Sequence, residues 1–167
     1  MAGIPMKHYT TTHNPFLRKH FQTITFILLV SFSMAQTQIG SDIDGEASND
    51  SFGYSVSINS AGDRVAIGAP NGYCNGPNYV RVYDLVNGSW AQVGEDIDGE
   101  DTSDCFGTSI SINSAGDRVA IGATYNDGND YNSGHVRVYD LVNGSWTQVG
   151  EDIDGEDGGD HFGTSVS

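Results

Sequence analysis

Carboxylates carry the most chemistry in this chain. Three runs repeat one pattern: Asp42-Ile-Asp-Gly-Glu46 followed by Asp50, Asp96-Ile-Asp-Gly-Glu100 followed by Asp101 and Asp104, and Asp152-Ile-Asp-Gly-Glu156 followed by Asp157 and Asp160. Oxygen-rich stretches of this kind suit Ca²⁺, which collects about six to eight oxygen ligands. Asp96, Asp98, Glu100, Asp101 and Asp104 are therefore the candidate ligands of a calcium site, the one cofactor the chain suggests. Glycine falls fourth in the run and not sixth, so this is not an EF-hand loop. Asn126-Asp-Gly-Asn-Asp130 adds a further acidic loop. The competing reading is a solvated, charged loop with no ion.

Paired carboxylates also serve glycosidases, but these acids come in loop copies with no unique asymmetric pair. The chain holds no Gly-x-Ser-x-Gly, no His-Glu-x-x-His and no Cys-x-x-Cys, so the usual nucleophile and zinc motifs are missing. His135 and His161 are the only histidines after residue 35, and both read as surface loop positions. Trp90 and Trp146 stand at equivalent places and read as packing residues before sugar-stacking ones. The expectation is a protein without enzymatic activity. Cys74 and Cys105 are the two cysteines; they are a disulfide in an oxidising compartment, or two free thiols.

These residues must be positioned by a repeated unit. Ser57–Ala69 recurs unchanged at 111–123, Val80–Trp90 at 136–146, and Gln92–Asp101 at 148–157. The offset is 54 residues from Phe52 to Phe106 and 56 from Phe106 to Phe162. Tyr54-Ser-Val-Ser-Ile-Asn59 alternates apolar and polar residues, a period of two that marks a strand. Ser60–Asp63 is a tight turn and Arg64–Gly68 a second strand. After a Pro, Asn and Gly-containing loop at 70–78, Tyr79–Tyr83 gives a third strand. Asn87-Gly88 is a two-residue hairpin signal, because both turn positions need positive φ. Ser89–Val93 is the fourth strand, and Glu95–Asp104 reads as an acidic loop leading to the next copy. Units fall at 38–91 and 92–147, with the opening of a third at 148–167. Four-stranded units repeated at roughly this length are the mark of a β-propeller, whose blades cover one another's faces. The expected fold class is thus all-β, an incomplete set of propeller blades that needs further blades or self-association.

The N-terminal residues read as an export signal. Arg18, Lys19 and His20 precede an apolar run at 24–32, and Ser33-Met-Ala35 supplies small residues for cleavage before Gln36, in the order expected of a signal peptide at 1–35. Met6 offers an alternative start. The run is too short for a comfortable span, which needs about 20 apolar residues, so no stable membrane span is expected after cleavage. Removal of Lys7, Arg18 and Lys19 leaves four arginines against 22 acids, and the net charge moves from −15 to −18. Such a chain repels phosphate backbones, which argues against nucleic acid as a partner. The expected location is secreted or cell-surface.

Phe52-Gly53 followed by Gly68-Ala69-Pro70 resembles the FG-GAP repeat of integrin alpha-subunit propellers and related surface proteins. The second unit has Phe106-Gly107 and Gly122-Ala123, with Thr124 in place of proline, and the third has Phe162-Gly163. The resemblance covers roughly 38–167. It implies a propeller that acts in binding or adhesion, with a protein or glycan ligand at the cell surface. Many members of that family carry a calcium loop between the first two strands of a blade. Here that place holds Asn59-Ser-Ala-Gly-Asp63 and Asn113-Ser-Ala-Gly-Asp117, too short and too poor in carboxylates, so the family's calcium site is not carried over. With chain direction alternating along a blade, the loop holding Cys74, the end of the loop holding Cys105 and the acidic runs share one face. A Cys74–Cys105 bridge between consecutive units is geometrically allowed there.

Overall fold

The computed structural model describes residues 36–167; the signal-peptide reading at 1–35 lies outside them. The described residues contain no helix and fold into two antiparallel sheets. The first holds β1 (Ser55–Ile58), β2 (Arg64–Ala69), β3 (Tyr79–Val86), β4 (Ser89–Gln92) and β5 (Ile97–Asp98). The second repeats it with β6 (Phe106–Ile112), β7 (Arg118–Ala123), β8 (His135–Val142), β9 (Ser145–Gln148) and β10 (Ile153–Asp154). Both sheets are open, and neither closes on itself.

Local chemistry explains the turns. Asn87 and Gly88 have φ of 52° and 81°, and Asn143 and Gly144 have 52° and 85°. This is the positive-φ pair a tight hairpin needs to follow the strand twist. In the β1–β2 turn, Asn59 Oδ1 accepts from the amides of Asp63 and Arg64, both at 3.1 Å. The side chain thereby does the work of a backbone acceptor.

One element departs from the sequence expectation. The acidic stretch Glu95–Asp104 is not all loop. Ile97–Asp98 forms β5, pairing with Tyr79–Val80 of β3 beyond the end of β4. A sequence boundary at 91/92 assigns these residues to the second unit, whereas their hydrogen bonds belong to the first sheet. β10 repeats this on β8.

The two sheets meet face to face along a seam in which apolar side chains lock. Ala66, Val80 and Val82 of the first sheet join Phe106, Ile110, Ile112, Val119 and Ile121 of the second in one buried cluster. Ile110 and Ile112 are 8 % exposed, while their counterparts Val56 and Ile58 in the first unit are 58 % and 57 % exposed. Identical roles differ only in whether a preceding unit covers them. Each such side chain gains about 1.5–3 kcal/mol from full burial.

The FG and GA dipeptides meet at this seam. Ser55 Oγ donates to Gly107 O at 2.6 Å, Ser57 Oγ accepts from Ile112 N at 3.0 Å, and Arg64 reaches Gly116 O at 2.9 Å. A Cβ on Gly68 would overlap Gly107 O. The same contact recurs one unit on. Ser109 Oγ donates to Gly163 O at 2.6 Å, and a Cβ on Gly122 would overlap Gly163 O. Gly53, with no preceding unit among the described residues, meets nothing.

Trp90 and Trp146 each fasten a sheet to an irregular segment, at Ile39 and Val93. Their indole N–H groups donate to Ile39 O and Val93 O at 3.2 and 2.9 Å. Their rings lie against Gly40 and Gly94. Both are therefore packing residues.

Candidate functional site

The carboxylates of the acidic runs are distributed, not gathered around one point. Asp96 takes both branches of Arg81, Nε at 2.8 Å and Nη2 at 2.7 Å, and accepts from Gln92 at 2.7 Å. Arg81 also pairs with Glu46. One unit later Asp152 takes Arg137 at 2.8 and 2.6 Å and Gln148 at 2.8 Å, and Arg137 pairs with Glu100. Each arginine stands on the third strand of its sheet, between an acid from the run before and an acid from the run after. Bidentate pairing of this kind is the strong form of the interaction. Hydrogen bonding from Arg81 and Arg137 holds Asp96 and Asp152 below the usual carboxylate range.

The remaining candidate ligands have other work. Asp101 turns back on the amide and hydroxyl of Ser103. Asp104 is buried and accepts from Asn126 Nδ2 at 2.8 Å, and burial pushes its pKa up. Asp98 is exposed on β5, with desolvation and the neighbouring Asp96 raising it. Between the first two strands, Asn59 and Asn113 spend both ends of their amides on Asp63 and Asp117 and the following backbone. Those turns do not fit a cation.

Among the described residues one cluster has metal-type donors, namely Glu100, His135 and Asp152, with one ligand atom from each within 4.8 Å of the others. Only Glu100 of these is among the acidic candidates read from the sequence. The surface-loop reading of His135 is corrected here. The residue opens β8 and is 1 % exposed. Both of its ring nitrogens lack a hydrogen-bond partner; Nδ1 lies 3.6 Å from Asp152 Oδ2. Burial, with Arg137 beside it, pushes the imidazole pKa down, against the pull of Asp152, Glu100 and Asp104.

The first unit shows what His135 is not doing. Its counterpart Tyr79 donates its hydroxyl to Asp50 at 2.9 Å, and the Arg81 guanidinium lies 4.8 Å over the ring. Burial and the Asp50 contact push Tyr79 up to about 12. Burial of Asp50 is outweighed by the Phe52 and Ala47 amides and the Tyr79 hydroxyl, which together hold it low. The signal for His135 lies in a comparison of copies. Tyr-Val-Arg-Val-Tyr-Asp-Leu-Val at 79–86 becomes His-Val-Arg-Val-Tyr-Asp-Leu-Val at 135–142, a single change in an eight-residue strand.

A second feature lies on the loop side. Cys74 and Cys105 form a disulfide with Cα atoms 4.9 Å apart, tying the β2–β3 loop to the entry of the second sheet. It lines a cleft of about 430 Å³ with Tyr54, Asn71, Thr108, Tyr125 and His161. Tyr125 and His161 meet edge to face at 5.0 Å. A disulfide accords with an oxidising compartment, and no helix among the described residues is long and apolar enough to cross a membrane.

No protein-family model matches the chain, and no curated protein matches it significantly.

Proposed function

We propose that the chain contributes consecutive wedges of an FG-GAP-like β-propeller, exported to the cell surface or secreted, and that it acts as a non-enzymatic binding or adhesion module. The observation that supports this reading best is the repeated seam. Gly107 sits on Gly68 and Gly163 sits on Gly122, each with a serine hydroxyl donated to the incoming carbonyl. A unit that repeats both its internal sheet and its contact with the next unit generates a stack by one operation, which is how blades cover each other. In this reading the glycines of the two dipeptides are steric partners across the seam, and calcium plays no part in the β1–β2 turns.

The ligand surface is the cleft beside the disulfide. Tyr54 and Tyr125 offer ring faces, and Asn71, Thr108 and Thr124 offer amide and hydroxyl groups. A few placed polar groups among apolar walls is the usual make-up of a small-ligand site, and this mixture favours a glycan over an apolar ligand. A glycan array with the secreted protein tests the assignment. Binding is expected, and Tyr125→Ala is expected to weaken it at least about tenfold. No bound glycan, or full retention of binding in Tyr125→Ala, removes the cleft as the ligand site.

A further inference from the structure

We propose that Glu100, His135 and Asp152 form a site for a divalent first-row transition cation of the Zn²⁺ class, present in the second unit and absent from the first. Two independent observations meet here. The three ligand atoms fall within 4.8 Å of one another, and the imidazole among them is fully buried with both nitrogens unsatisfied. A buried polar group without a partner costs stability, so the position asks for one. Its Nδ1 faces Asp152 Oδ2 across 3.6 Å, too long for a hydrogen bond.

The donor set selects the ion. One imidazole nitrogen and two carboxylates suit Zn²⁺, Co²⁺ or Mn²⁺, whereas Ca²⁺ favours oxygen alone. Bonds of about 2.0–2.2 Å from Zn²⁺ to nitrogen and oxygen require the ligands to draw closer. Glu100 is the arm that can move, since its side chain is half exposed. Arg137 holds both carboxylates in the metal-free state. Its Nη2 must leave the space between them, while Nε can stay on Asp152 Oδ1. The cation sets a doubly charged centre between the two acids where Nη2 stood, and water completes its shell.

The first unit supplies the control. There the counterpart Arg81, paired with the counterpart acids Glu46 and Asp96, lies over the ring of Tyr79, whose hydroxyl is engaged by Asp50. His135→Tyr therefore installs a residue that this local fold already accommodates. Zn²⁺ titration by calorimetry and Co²⁺ titration by visible absorption, on the full chain, decide the matter. The wild type is expected to bind one equivalent that His135→Tyr and Glu100→Gln lose. For His135→Tyr the affinity should fall at least about 100-fold, the upper end of what even indirect partners of a metal cost. Arg137→Gln, which frees both carboxylates, is expected to bind more tightly. A Co²⁺ spectrum unchanged by His135→Tyr, or no binding in either the wild type or a folded Arg137→Gln, overturns the site.

Discussion

Replacing Gly68 by alanine tests the seam at its tightest point. Gly68 lies within β2 with no positive φ, so its backbone accepts alanine without strain, and the cost must come from the neighbouring unit. The added Cβ would overlap Gly107 O and crowd Ser55 Oγ and Ile110 Cδ1. The carbonyl belongs to the backbone of the next sheet and cannot rotate away, so the sheets must part. Overpacking of this kind costs about 1–3 kcal/mol. Loss of the Ser55–Gly107 hydrogen bond adds about 1 kcal/mol. Alanine returns about 0.5–1 kcal/mol relative to glycine within a strand. The expected net destabilisation is about 1–3.5 kcal/mol. Urea unfolding followed by the fluorescence of Trp90 and Trp146 reads this as a lowered midpoint with an unchanged slope. Gly122→Ala should behave alike through Gly163. A Gly68→Ala protein as stable as the wild type, or more stable, refutes the claim that close backbone approach is why glycine stands there.

Two further outcomes are expected. Cys74 and Cys105 are 31 residues apart, so the loop-entropy relation assigns the bridge about 3–4 kcal/mol; reduction, or a Cys74→Ser/Cys105→Ser double variant, should lower Tm by about 10–15 °C for a chain of this size, and a shift of only a degree or two would show that the bridge constrains little. Acid should destabilise the fold through Asp50 and Asp96, whose folded pKa values lie below 3.8. A depressed folded pKa contributes stability that is present above the unfolded value and is lost as pH falls through the folded one. The contribution of these two carboxylates should therefore be constant through neutral pH and fall below about pH 3.8, separate from the loss that the depressed His135 imidazole brings as pH drops below 6.5, with Asp50→Asn flattening part of the acid limb; an Asp50→Asn profile that superimposes on the wild type would exclude Asp50 from the effect.

The arginine ladder shows how so acidic a chain folds. All four arginines of residues 36–167 are in ion pairs: Arg64 with Asp84, Arg81 with Asp96 and Glu46, Arg118 with Asp140, and Arg137 with Asp152 and Glu100. Two of them each bind acids from consecutive runs. The runs thus act as connectors, because Asp96 holds the arginine of the first sheet while Glu100, four residues on, holds that of the second. Arg64 and Arg118 mark the same logic at the seam. Arg64 also reaches Gly116 of the next unit, whereas Arg118 pairs with Asp140 and stands half exposed.

What could be read without coordinates was whatever depends on neighbours close in the chain. Alternation over 54–59 and the Asn-Gly pairs determined strands and hairpins, since pleat and turn geometry involve only a few adjacent residues. Duplication determined that there would be two like sheets. The cysteine pair was legible as an option, because the period brings the two loops to one side. Three things needed tertiary structure. The pairing of Ile97–Asp98 with β3 depends on where β4 ends and leaves an edge open, which no local pattern encodes. The partners of Asp96 and Asp152 are arginines 15 residues away, which no pattern within the acidic runs encodes. His135 differs from Tyr79 by one letter, and nothing in that letter says that its ring is enclosed with both nitrogens unpaired. Burial is a property of the surrounding sheet and loops, and it alone turned an ordinary histidine into the centre of a site.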